Sequence, residues 1–170
     1  MIIRLENQAD FAKIYHFTKE AFETAKVKDG DEQNFVERLR KSENYLPNLA
    51  FVAEKNEEIV GHIMLSKTSI SNKNKISEVL ILAPLTVRLD QRNQGLGGEL
   101  IAIAEKEAKK FNYQMIILIG DPSYYSRHGF VQASTYGIIS DKELPPEYLL
   151  AKIINPCNIK DFAGTVFIPV

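Results

Sequence analysis

The residues Arg92-Asn93-Gln94-Gly95-Leu96-Gly97-Gly98 set a cation, two side-chain amides and a dense cluster of glycines side by side. They follow an apolar run, Val79 to Val87, and lead into an amphipathic segment, Leu96 to Phe111. That order reads as strand, glycine-rich loop, helix start. The first turn of a helix carries backbone N–H groups with no intrahelical acceptor, and the positive end of the helix dipole lies there. Glycine lets the main chain approach an anion with no Cβ in the way. The chemistry predicted is the gripping of a phosphorylated ligand at Gly95 to Gly98.

Three glycine-rich loops compete for this reading. A Walker-type loop needs Gly-Lys followed by Ser or Thr, and no lysine follows Gly97 or Gly98. A dinucleotide fingerprint needs Gly-x-Gly-x-x-Gly; Gly95 and Gly97 serve, but Leu100 stands where the third glycine belongs, even though an acidic residue, Asp121, follows further on. The third pattern is Arg/Gln-x-x-Gly-x-Gly/Ala, and Arg92 to Gly97 meets it at every fixed position.

This third loop resembles the pyrophosphate loop of the GNAT N-acetyltransferase superfamily, which binds acetyl-CoA. The preceding Leu82-Ala83-Pro84-Leu85-Thr86-Val87 resembles the family's fourth strand. Downstream, Tyr124-Tyr125-Ser126-Arg127-His128-Gly129-Phe130 resembles its Tyr-x-x-x-Gly-Phe element. The resemblance is sharpest from Glu78 to Phe130. It implies an α/β fold with a central mixed, mostly antiparallel sheet, splayed at the fourth strand and flanked by helices. It also implies a single N-acetyltransferase domain over residues 1–170, with acetyl-CoA as cosubstrate and a primary amine as acceptor.

The same resemblance distributes roles. Pro84 has no N–H to donate, so it suits an edge position or a bulge that parts two strands. The run is too apolar for an exposed edge. Main-chain groups freed by parting need other partners, and Leu85, Thr86 and Val87 are therefore expected to contact the pantetheine arm through their backbone. Arg92, Asn93, Gln94, Gly95, Leu96, Gly97 and Gly98 are expected around the pyrophosphate; Arg92 either adds charge there or braces the loop. Tyr125, four residues before Gly129, takes the place of the general-acid tyrosine, since a phenol can donate to the departing thiolate. Ser123 and Tyr124 are placed at the cofactor. Asp121 either shapes the wall or caps the short helix. Tyr124 and Tyr125 also read as aromatics packing on Phe130.

No general base emerges. Ile81 stands where some relatives carry a Glu, and Glu78 reads as a strand-end surface carboxylate. His62 reads as a structural strand histidine, His128 as a turn residue and His16 as helix surface. Phe22, Phe35, Tyr45, Tyr136, Tyr148 and Phe162 could line an acceptor site, but scattered aromatics are more often core than pocket. Cys157, the single cysteine, has no partner for an internal disulfide, reads as a small core residue, and no metal site is suggested.

The elements that must hold these residues follow from periodicity. Met1 to Leu5 reads as a strand, and Asn7 to Asp10 as a cap for a helix carrying Phe11, Ile14, Tyr15, Thr18, Ala21 and Phe22. Asp31 is expected to cap a second helix with Phe35, Val36 and Leu39 on one face. Leu49 to Glu54 and Ile59 to Ser69 read as hairpin strands, followed by a polar turn at Ser71 to Lys75. Val79 to Val87 is expected to be buried on both faces. The helix after Gly95 is expected to bury Leu96, Leu100, Ile103, Ala104, Ala108 and Phe111. Met115 to Ile119 reads as a strand, Pro122 to Arg127 as a short helix, and Thr165 to Ile168 as a strand after a turn at Asp161 to Gly164.

Net charge is −1, with charged residues at 25% and hydrophobic ones at 45%. That balance predicts no general attraction to nucleic acid or anionic membrane. No signal peptide or apolar run long enough for a bilayer is apparent, and a reducing cytoplasm is the simplest setting. The oligomeric state is open, a homodimer included. Two rival functions stand beside the enzyme: a non-catalytic acyl-CoA-binding or sensing module, and a nucleotide-binding protein of another fold.

Overall fold

The longest strands follow from runs rich in Val, Ile, Leu and Thr, joined at Asn56-Glu57 and at Lys73-Asn74, while glycine or proline marks the connections after the Met115–Ile119 strand. A computed structural model describes residues 1–169. In chain order the elements are β1 (Ile2–Leu5), α1 (Phe11–Phe22), α2 (Glu32–Arg40), β2 (Tyr45–Lys55), β3 (Glu58–Asn72), β4 (Lys75–Val87), α3 (Leu96–Lys110), β5 (Met115–Ile119), α4 (Pro122–Tyr125), β6 (Val131–Gln132), β7 (Ile138–Ser140), β8 (Leu149–Ile153) and β9 (Gly164–Val166). They form two compact units, each drawn from two stretches of sequence: residues 1–66 with 82–108, and residues 67–81 with those from 109 on.

In the first unit β1 runs antiparallel to β2, with Ile3 opposite Ala53. β2 runs antiparallel to β3, with Val52 opposite His62 and Ala53 opposite Gly61. Ile14 and Phe17 of α1 pack on Val52 and Ile59. Val36 and Leu39 of α2 pack on Ala50 and Met64. Ala53 and its partner Gly61 face opposite to Val52 and His62, toward Leu100 of α3, and a register shift between Ala53 and Glu54 returns Ile59 to the α1 side. A Cβ at Gly61 would sit 2.9 Å from a Leu100 methyl group, so the missing side chain is what seats α3 on the strand.

Helix starts are chemically specified. Asn7 accepts from Ala9 N, and Asp10 accepts in return from Asn7 N, a reciprocal cap before α1. Asp31 occupies the cap position of α2, but only its carbonyl accepts from a helix amide, Phe35 N; its carboxylate accepts from the Asn34 side-chain amide and the Arg38 guanidinium instead. Along α3 the buried face is Leu96, Gly97, Leu100, Ile101, Ala104, Glu105 and Ala108. Ile101 and Glu105 thus replace the expected Ile103 and Phe111, and Phe111 is half exposed just beyond the last turn.

In the second unit β4 and β5 run parallel, with Leu80 opposite Ile116 and Ile81 opposite Ile117. β8 lies antiparallel to β5 and β6 antiparallel to β8. β9 joins the far part of β3 antiparallel and β7 parallel. Pairing is therefore mixed and mostly antiparallel, as predicted. The core gathers Val79, Ile81, Met115, Ile117, Leu149, Ala151 and Phe162, with Cys157 packed half-buried against it. β4 starts four residues before the expected strand, at Lys75, because Ser77 is buried and its hydroxyl donates to Asp161 O at 2.8 Å.

Candidate active site

The predicted site residues fall into two sets, one in each unit. The first begins at the end of β4. Up to Leu82 the strand is buried continuously from Val79, as expected. Beyond it burial alternates: Pro84 and Thr86 are buried, whereas Ala83, Leu85 and Val87 are half exposed. The expectation of burial on both faces thus fails in the last third of the strand, where an alternate row of residues stays open. Thr86 faces inward, and its hydroxyl reaches His62 O at 3.4 Å. Arg88 N donates to Val60 O at 2.9 Å, which keeps this end of β4 on β3.

The loop then turns through two left-handed residues, Asn93 (φ 60°) and Gly95 (φ 88°). Gly95 faces open space: no atom lies within 4 Å of where a Cβ would be. Its carbonyl accepts from Glu99 N at 3.1 Å and closes the first turn of α3. The amides of Leu96, Gly97 and Gly98 precede that bond and have no acceptor within the helix. Asn93, Gln94 and Gly95 are exposed and Gly98 is half exposed. Asp90 nearby is bonded by Arg88, whose Nε donates to it at 2.7 Å and whose Nη1 donates to Glu58 at 2.6 Å. The Arg88 guanidinium also holds the Asp90 carboxyl below its usual range.

Arg92 makes the bonds of a brace. Its Nε donates to Val87 O at 3.0 Å, Nη1 to Thr24 Oγ1 at 2.6 Å and Nη2 to Ala21 O at 2.7 Å. The guanidinium thus joins the loop to the end of β4 and to the last turn of α1.

The second set sits after β5. Gly120 N donates to Tyr148 O at 3.0 Å. Asp121 is the cap of α4: its carboxylate accepts from Ser123 N at 2.9 Å, and its carbonyl accepts from Tyr124 N and Tyr125 N. Ser123 is exposed and Tyr124 half-buried. The Tyr125 ring lies over Gly120, where any side chain would strike it. It meets Tyr124 edge-on at 5.0 Å and Phe130 at 5.7 Å between ring centres. Gly129, at φ 83°, turns the chain so that Phe130 is buried beneath. Arg127 lies 5.2 Å over the Tyr124 ring. Burial, and the neighbouring Tyr124, push the Tyr125 hydroxyl well above its ordinary pKa, so it stays protonated at neutral pH.

A polar cluster that the sequence did not disclose lies buried in the first unit. Glu6 accepts from Arg40 at 3.0 and 2.8 Å, from the Tyr45 hydroxyl at 2.8 Å and lies 2.8 Å from His62 Nε2. The Glu6 and His62 side chains are fully buried, and Arg40 nearly so. Burial alone would raise the Glu6 pKa, but the bonds from His62 and Arg40 outweigh it and hold the carboxyl at about 2. Burial lowers the His62 pKa, so the ring is neutral and gives its Nε2 proton to Glu6. His62 Nδ1 has no hydrogen-bond partner among the described residues. Of its members the sequence pointed only to His62, as structural, and to Tyr45, as acceptor wall or core. Of the six aromatics considered for an acceptor wall, Phe162 is core, while Phe35, Tyr45 and Tyr136 pack against core clusters. Among the described residues no group of three His, Cys, Asp or Glu could hold a metal ion, and no helix is long and apolar enough to cross a membrane.

Residues 2–133 match the family described as acetyltransferase (GNAT) domain. The chain belongs to that family. It is 28% identical over 126 residues to an Escherichia coli protein named uncharacterized N-acetyltransferase YjhQ, covering 74% of this chain and 67% of that one. It is also 28% identical over 139 residues to the E. coli uncharacterized N-acetyltransferase YhbS, covering 81% of this chain and 78% of that one. The crystal structure of YhbS in complex with CoA shares the fold, with a TM-score of 0.86 at 23% identity over 98% of this chain and 88% of that one. A Brucella melitensis GNAT acetyltransferase in complex with acetyl-CoA aligns with a TM-score of 0.77 at 25% identity, covering 97% and 93%.

Proposed function

We propose that this chain is an acetyl-CoA-dependent N-acetyltransferase, a single domain that passes an acetyl group to a primary amine of a small molecule or peptide. The observation that carries the proposal is the open first turn of α3. Three amides there lack helical acceptors, and the left-handed Gly95 leaves room for an anion at the end of β4. That arrangement fits a diphosphate, and crystals of relatives with CoA and acetyl-CoA support the choice.

The thioester supplies an activated acyl group. Leu96, Gly97 and Gly98 hold the diphosphate by their N–H groups, with Asn93, Gln94 and Gly95 around it. The half-exposed row at Leu85 and Val87 offers main-chain groups to the pantetheine arm, and one N–H there polarises the carbonyl under attack. The neutral amine attacks the thioester carbon directly, the C–S bond breaks, and the proton shed by nitrogen leaves to solvent; proximity supplies much of the rate and no acyl group rests on the protein. Tyr125 donates a hydrogen bond to the departing thiolate. Its raised pKa makes it a holder of the leaving group more than a full proton donor. Ser123 and Tyr124 flank it.

The test is a panel of amines, amino acids and peptides assayed for acetyl-CoA-dependent thiol release, beside a Gly98→Glu control. Gly98 suits this better than Gly97, because Gly97 is buried and Gly98 half exposed. Turnover with at least one amine is expected, and the control should lose CoA affinity by at least about a hundredfold through charge repulsion. Undiminished CoA affinity in the control would overturn the cradle. CoA binding without turnover on any acceptor would point to the sensing module instead.

A further inference from the structure

Arg92 heads the phosphate loop but spends its guanidinium elsewhere, and that choice has a mechanical meaning. We propose that Arg92 is a positioning residue that couples occupancy of the Gly95–Gly98 cradle to the order of the end of α1 and the segment after it. The proposal rests on the reading of that loop as a diphosphate cradle.

Each nitrogen of the Arg92 head group has a separate partner. Nε holds Val87 O, the last residue of β4. Nη1 and Nη2 hold Thr24 Oγ1 and Ala21 O, which bracket the end of α1. α1 finishes at Phe22 and α2 begins at Glu32, so residues 23–31 form a connection without helix or strand. Its first turn is held by local bonds, Glu23 N to Glu20 O and Ala25 N to Phe22 O. The carbonyl of Ala21, between those two acceptors, is taken by Arg92 at 2.7 Å and more weakly by the Thr24 hydroxyl at 3.5 Å. A cation there is also favoured by the negative end of the α1 dipole.

The loop side of this strut is conformationally demanding. Asn93 and Gly95 both sit in the left-handed region, and both are exposed. An anion bonded to the amides that follow would restrict exactly that stretch, and the restriction reaches Ala21 and Thr24 through one rigid planar group. A lysine in place of Arg92 could not span three acceptors in a plane. Coupling of this kind is reciprocal: whatever orders residues 21–31 tightens the cradle by the same factor.

Hydrogen exchange read by mass spectrometry, on the whole chain with and without CoA, tests this. In the wild type, CoA should slow exchange at residues 96–100 and also, about tenfold, at residues 21–31. In Arg92→Gln the first effect should remain and the second should vanish. CoA affinity should then fall severalfold, with its salt dependence unchanged. Thr24→Val, which removes one acceptor from an exposed position, should halve the remote effect on a logarithmic scale and serves if Arg92→Gln does not fold. Remote protection that persists in both variants would overturn the coupling. So would a CoA affinity in Arg92→Gln that loses its salt dependence, because the guanidinium would then be acting on phosphate. Wild-type protein that binds CoA and protects 96–100 but not 21–31 would sink the coupling alone. Wild-type protein that does not bind CoA would sink the cradle and the coupling together.

Discussion

Tyr125 is held between three surfaces, the backbone of Gly120 and the rings of Tyr124 and Phe130. Its hydroxyl is the one part of it suited to chemistry, and Tyr125→Phe removes that atom while keeping the ring. Turnover should fall by about ten- to a thousandfold, the range of a lost acid or strong donor, with acetyl-CoA affinity nearly unchanged. Steady-state kinetics beside calorimetry reads both, and equal turnover would remove Tyr125 from the mechanism. His62 and Glu6 carry a second residue-scale prediction, on pH. Glu6 has a folded pKa of about 2, below its unfolded value of about 4.3, so its stabilisation is complete above that value and is lost as pH falls toward 2. The His62 pKa is also lowered on folding, so below about pH 6.5 the unfolded chain binds a proton that the native ring refuses. Both effects act in the same direction. Thermal stability should decline from pH 7 to pH 4, and His62→Gln should flatten the upper part of that decline, from about 6.5 to 5. A slope in the variant as steep as in the wild type would place the titration elsewhere.

At the scale of elements, Glu6 follows β1, Arg40 ends α2, Tyr45 opens β2 and His62 lies mid-β3, so one buried carboxylate gathers four elements. Arg40→Met strands that carboxylate and should cost about 3–5 kcal/mol in urea unfolding, the usual penalty for an uncompensated buried charge. A loss below about 1 kcal/mol would mean that water or His62 takes over. This cluster also marks where reading the sequence ran out. Its members are 34, 39 and 56 positions from Glu6, and nothing local in a Glu, an Arg or a Tyr announces a distant partner. The strand, loop and helix start around Gly95 were legible because their physics is local: glycines, a helix start and an apolar strand lie within a few turns of one another. The braced role of Arg92 stayed open because its partners, Ala21 and Thr24, are 71 and 68 positions away. Boundaries slipped where polar residues face inward. Ser77 hid the true start of β4, and buried Glu105 hid the inner face of α3.

For the whole molecule the pairing pattern, the helices against it and the family match agree with the acetyltransferase fold expected from the loop, the strand before it and the Tyr/Gly-Phe element. A ligand that binds the native state alone stabilises it by mass action. Acetyl-CoA at a hundred times its Kd should therefore add about 2.7 kcal/mol, or about 5–10 °C in Tm for a chain of this length. ATP and NAD at equal concentration should add little, and a larger shift with either would favour a nucleotide-binding function. With a net charge of −1 there is no general electrostatic pull to confuse the comparison.

β3 and β4 each begin in one unit and finish in the other, which means that the two units are threaded through each other along the chain. During synthesis, Ile70, Val79 and Ile81 emerge well before Met115, Ile117 and Ala151, the residues they will pack against. A nascent chain of about the first hundred residues must therefore wait with sticky strand ends uncovered, the kind of surface that recruits chaperones or seeds aggregates. Truncation after Lys110 would freeze the protein at that stage, and cutting the gene in two at any one point would yield no pair of self-sufficient halves.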